Sequence, residues 1–122
     1  MRALVVDDSK TMRLIVGRIL RELGFETAEA GDGVEALAKL IGDGPFELAV
    51  VDWNMPNMNG YDLVRAVRKE ARWDEMRLVM CTTESDLANM QAALEAGANE
   101  YVMKPFTADM ITDKLLMLGF ES

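Results

Sequence analysis

Residues 48–60 read Leu48-Ala49-Val50-Val51-Asp52-Trp53-Asn54-Met55-Pro56-Asn57-Met58-Asn59-Gly60. The first four are apolar without interruption. Such a run, lacking polar alternation, predicts a strand buried on both faces, as in parallel sheets covered by helices. It stops at a single carboxylate, Asp52. A polar loop with Pro56 and Gly60 follows, and Leu63, Val64 and Val67 then recur at helical spacing.

The same unit repeats outward in both directions. Strands are predicted over Ala3–Val6, Phe25–Glu29, Leu78–Cys81 and Tyr101–Met103. Met12, Ile15, Val16, Ile19, Leu20 and Leu23 mark a first helix, with Ser9 as its N-cap and Gly24 as its stop. A short helix spans Val34–Ile41. Leu87, Met90, Ala93 and Leu94 mark another, and Met110, Ile111, Lys114, Leu115 and Leu118 the last. Five β-α units in succession imply a doubly wound, five-stranded parallel sheet in a three-layer α/β/α sandwich. We expect one domain over residues 1–122, with no linker, repeat or effector domain.

Composition removes several function classes. The 13 basic and 21 acidic residues give a net charge of -8, which repels nucleic acid and anionic lipid. No apolar stretch reaches membrane-span length and no leader is evident, so a soluble cytoplasmic protein without membrane insertion is expected. Histidine is absent and cysteine occurs once, at Cys81. Imidazole triads, zinc centres and internal disulfides are therefore excluded.

The strand ends carry the chemistry. Strand one ends in Asp7-Asp8, strand three in Asp52, strand four in Thr82-Thr83 and strand five in Lys104-Pro105. In an open α/β sheet these ends share one edge, where ligands bind near the reversal of strand order. Exposure alone accounts for a polar strand end taken singly. It accounts poorly for three carboxylates, a hydroxyl and an ammonium at equivalent positions. Converging carboxylates repel and call for a cation, and oxygen donors suit Mg²⁺ or Mn²⁺. An ammonium and a hydroxyl beside that cation suit phosphoryl oxygens, and aspartate can itself accept a phosphoryl group. Asp52, alone at the tip of the central strand, is the better acceptor; Asp7 and Asp8 are the better metal holders.

This set of residues resembles the receiver domain of two-component response regulators, in order and over essentially all 122 residues. The resemblance implies a flavodoxin-like (βα)5 fold that catalyses only its own phosphorylation and dephosphorylation, and is otherwise not an enzyme. It implies Asp52 as phosphoacceptor, with Mg²⁺ held by Asp8 directly, Asp7 through water, Asp52, and the backbone carbonyl of Asn54. It implies Lys104 as phosphate ligand, with Thr82 and Tyr101 as switch residues. The segment from Asp52 to Met58, together with Glu84 and with Tyr101 before Lys104, is most similar to the single-domain chemotaxis regulators. Trp53, Thr83 and Glu84 would modulate the site. Thr83 replaces a usually small residue, and Asn59 replaces a usually acidic one while remaining able to cap a helix.

The partners implied are a sensor histidine kinase as phosphodonor, a flagellar motor switch protein or other downstream protein as target, and a phosphatase, with the chain itself a monomer. A phosphorelay shuttle is the alternative within the family. An aspartate-nucleophile phosphatase would want a second aspartate at position 54 and a cap domain. A flavin binder would meet two charges at Asp7-Asp8, and a nucleotide-binding P-loop is missing. The ten methionines are read as core filling and Arg65, Arg68, Lys69 and Arg72 as a solvated helix face, with an acidic partner's docking site as the other reading.

Overall fold

A computed structural model describes residues 1–82, 87–104 and 106–120. The expectations for Thr83, Glu84 and the Lys104-Pro105 bond involve residues outside those described.

The chain alternates strictly: β1 (Arg2–Val6), α1 (Lys10–Glu22), β2 (Glu26–Ala30), α2 (Gly33–Asp43), β3 (Leu48–Asp52), α3 (Gly60–Arg68), β4 (Arg77–Thr82), α4 (Leu87–Ala96), β5 (Glu100–Met103) and α5 (Ala108–Met117). A short 3₁₀ turn, Ala71–Trp73, precedes β4 and has no periodic signature in the sequence. The strands form one sheet in the order β2-β1-β3-β4-β5, and all four pairings are parallel. Strand order therefore reverses between β1 and β3, the two strands that end in Asp7-Asp8 and Asp52.

Alternate residues of each central strand feed two cores, one on each face. Leu4, Val6, Ala49, Val51, Leu78 and Met80 pack with Leu40 of α2, Leu63, Val64 and Val67 of α3, and Ala93 of α4. Ala3, Val5, Leu48, Val50, Val79 and Cys81 pack with Val16 and Leu20 of α1 and Ile111 and Leu115 of α5. Burial on both faces is why β3 is apolar without alternation. Ser9 and Asn59 cap α1 and α3 as expected, accepting from the N–H groups of Met12 and Asp62.

The second strand departs from expectation. It is the sheet edge, its sequence is Glu-Thr-Ala-Glu-Ala, and only Ala30 is buried. Charge is tolerated there because an edge strand is half exposed, and it discourages pairing with other chains. Phe25 precedes the strand. Its N–H donates to Leu20 O behind Gly24 (φ 99), and its ring meets Phe120 edge-on at 5.4 Å. Ile15 of α1 and Leu94 of α4, which share the apolar helical spacing, are 46% and 43% exposed.

Candidate functional site

The register of the parallel ladder brings the strand ends together. Val6 pairs with Val51 and Asp52 with Cys81, so Asp7 and Asp52 leave adjacent strands at the same level. Asp7, Asp8 and Asp52 each offer a carboxylate oxygen within 4.8 Å of the others. Asp7 and Asp52 are buried, whereas Asp8 is exposed.

Lys104 enters from the end of β5. Its Nζ donates to Asp7 Oδ2 at 3.0 Å and to Asp52 Oδ1 at 3.1 Å. The other Asp7 oxygen accepts from Ser9 N at 2.9 Å. Both oxygens of Asp7 thus already face protein donors, which leaves Asp8 as the solvent-facing carboxylate of the cluster. Burial, and then the charge of Asp7, hold the Asp52 carboxyl above its ordinary value despite the bonds from Lys104. Burial alone would lower Lys104, but the two carboxylates outweigh it and raise its pKa.

One ammonium therefore does not neutralise three carboxylates. The donor set is hard oxygen throughout, and it is short of positive charge. These residues fit a divalent cation such as Mg²⁺. Beside them Asp8, Asn54, Met55, Pro56 and Asn59 line an open recess.

The remaining candidates lie at varying distances from this centre. Thr82 is buried at the end of β4, and its carbonyl accepts from Lys104 N at 2.7 Å. Asn54 is exposed on the recess wall. Trp53 is half-buried, packs on the core beneath α3, and lies 5.5 Å from the Tyr61 ring. The Tyr101 ring is 5.1 Å from Lys114 Nζ, and Lys114 also pairs with Glu100 at 3.1 Å. Cys81, next to Asp52 in the ladder, is buried and its thiol is pushed up to about 12, so it is inert as a nucleophile.

Two further supports have no motif. Arg13, one turn into α1, donates from Nη1 to the Asp7 carbonyl at 2.7 Å and pairs with Glu29 at 2.9 Å. Gly60 starts α3 directly beneath Asp52. A Cβ there would come within 2.2 Å of the Asp52 carbonyl oxygen, so only glycine permits this approach. A cation placed one turn after a strand-end acid, and a glycine opening a helix, were the only signals for these roles.

The fold, the parallel strand ends and the acidic centre with its lysine define a response-regulator receiver. Residues 3–116 match the response regulator receiver domain model, and the chain belongs to that family. Within the family it is of the chemotaxis, CheY type. It is 47% identical over 121 residues to chemotaxis protein CheY1 of Helicobacter pylori, covering 98% of each chain. It is 47% identical over 116 residues to chemotaxis protein CheY of Pseudomonas aeruginosa, covering 94% of this chain and 93% of that one. Among solved structures, the chemotaxis response regulator CheY4 of Vibrio cholerae superposes with a TM-score of 0.89 at 34% identity. That match covers 96% of this chain and 97% of the other. Among the described residues no helix is long and apolar enough to cross a membrane.

Proposed function

We propose that the chain is a phosphorylation switch that accepts a phosphoryl group on Asp52 from the phosphohistidine of a sensor kinase. The observation carrying this reading is the bridge of Lys104 between Asp7 and Asp52, set among three clustered carboxylates. A carboxylate so held is a nucleophile, with a cation beside it for the incoming phosphoryl oxygens.

In the transfer, an Asp52 carboxylate oxygen attacks phosphorus as the phosphorus–nitrogen bond breaks, and its electron pair returns to the donor's imidazole. The product is an acyl phosphate. Water attacking phosphorus later releases inorganic phosphate and restores the carboxylate. Lys104 exchanges its carboxylate contact for a phosphoryl oxygen and offsets the charge that builds there. Asp8, Asp52 and the Asn54 backbone carbonyl would hold Mg²⁺, with Asp7 acting through water. When bound, the ion supplies the positive charge that the carboxylates and phosphoryl oxygens lack.

The output is a population shift. The Thr82 hydroxyl moves toward the phosphoryl group, and Tyr101 turns into the space vacated, reshaping the face of α4, β5 and α5. That face binds the flagellar motor switch in chemotaxis. Trp53, Thr83 and Glu84 tune access and phosphate lifetime. The chain acts as a monomer in the cytoplasm, and a phosphatase resets it.

Incubation with acetyl phosphate and Mg²⁺, followed by mass-spectrometric mapping, tests the acceptor. Label is expected on Asp52 and is expected to be lost in Asp52→Ala. Undiminished labelling of that variant would overturn the assignment. Pull-down of a flagellar switch protein by the beryllofluoride-treated chain tests the output. Reversible phosphate exchange with a histidine phosphotransfer protein, without such capture, would favour the phosphorelay reading.

A further inference from the structure

The loop following Asp52 is tied down at a point well away from the carboxylates. Asn57, in the left-handed region at φ 65, donates from Nδ2 to Asp32 Oδ2 at 2.7 Å. The other Asp32 oxygen caps α2, accepting from Glu35 N at 2.8 Å. One residue on, Gly33 N donates to Met58 O at 3.1 Å. The Met58 side chain lies so close that a Cβ at position 33 would sit 2.6 Å from its Cγ. The start of α2 and the loop are therefore joined by a side-chain bond, a backbone bond and a tight packing contact. On either side of this anchor the loop walls the recess onto which Asp8 opens, through Asn54, Met55 and Pro56 before it and Asn59 after it.

We infer that Asp32 and Asn57 are positioning residues for the acidic site: their hydrogen bond fixes the loop facing Asp8 and so sets the affinity for a divalent cation. This rests on the cation reading of the site given above. Neither residue belongs to the cluster of Asp7, Asp8 and Asp52. They act through the loop, because a cation site pays in affinity for any wall that must be ordered on binding. The coupling is reciprocal, so a bound cation must in turn tighten the first turn of α2.

Asn57→Gly keeps a backbone at ease with positive φ and removes only the donor. Asp32→Ser keeps one oxygen for the cap and loses the one that reaches Asn57. Loss of an outer support typically weakens metal binding about 10- to 100-fold. This bond is exposed and the Gly33–Met58 tie remains, so about a three- to tenfold weakening is expected for Mg²⁺ titrated by Trp53 fluorescence and by calorimetry. Asp32→Asn combined with Asn57→Asp reverses donor and acceptor and should restore binding. In wild type, Mg²⁺ should slow amide exchange at Glu35, and in Asn57→Gly it should not. A variant that is merely less stable would unfold at lower temperature yet bind Mg²⁺ normally once folded. Wild-type affinity within about twofold in both single variants, with the wild type binding normally, would overturn the tether alone. Absence of Mg²⁺ binding by the wild type would overturn the cation site and the tether with it.

Discussion

Lys104 donates from Nζ to Asp52 Oδ1 across 3.1 Å, joining the ends of two strands 52 residues apart in the chain. The same ammonium is 3.0 Å from Asp7 Oδ2, and all three side chains are largely buried. A cation at the junction of β1, β3 and β5 holds the carboxylates together before any ligand arrives.

Removing that ammonium should therefore separate cation binding from stability. Lys104→Ala leaves two buried carboxylates facing each other, and breaking a buried pair costs about 3 kcal/mol. In chelating buffer its melting temperature should fall well below that of wild type. Mg²⁺ should recover more of that loss in the variant than it adds to wild type, because the site has become more negative. A variant that binds Mg²⁺ more weakly than wild type would contradict this.

Asp52 carries a pH signature. Its carboxyl titrates above its ordinary value of 3.8 in the folded chain, chiefly because it is buried and then because it faces Asp7. The folded state thus holds the proton more tightly than the unfolded one. The stability this contributes is fully present below 3.8 and is lost as pH rises through the folded value. In metal-free buffer at pH 7, Asp52→Asn should consequently melt a few degrees above wild type, and the gap should close as pH falls below 4. Melting curves at the two pH values decide it, and a variant no more stable than wild type at neutral pH would refute it.

Arg68 shows where reading the sequence stopped short. The sequence predicts one solvated face from Arg65, Arg68, Lys69 and Arg72, and Arg65, Lys69 and Arg72 are indeed exposed. Arg68 is not. It donates to the carbonyls of Gly97, Trp73 and Met76 and to Asn99 Oδ1, at 2.8 to 3.0 Å. Asn99 Oδ1 in turn accepts from Leu78 N. Helical spacing cannot single out this arginine, because its acceptors come from loops 5 to 31 residues away. The strand-end acids were legible for the opposite reason: a parallel sheet brings strand ends to one edge whatever the loops do. Lysine at position 68 keeps the charge but loses the fork. Arg68→Lys should lose about 2 kcal/mol in urea unfolding, whereas Lys69→Ala should lie within about 0.5 kcal/mol of wild type.

Gly60 couples packing to the site most directly, and two glycines of the same protein make the comparison. A methyl at Gly60 meets the Asp52 carbonyl oxygen at 2.2 Å and Met80 Sδ at 3.0 Å. The sulfur can swing away, but the carbonyl belongs to the central strand and cannot. The start of α3 must move instead, breaking the bond from Gly60 N to Trp53 O and shifting the loop that faces Asp8. Gly60→Ala should cost about 2 kcal/mol and slow labelling of Asp52 by acetyl phosphate. Gly42, exposed near the end of α2, has nothing within 4 Å of an added Cβ. Gly42→Ala should therefore gain about 0.5 kcal/mol through helix propensity and leave labelling unchanged. Equal labelling rates in the two variants would mean that the loop is not held in place through the contact between Gly60 and Asp52.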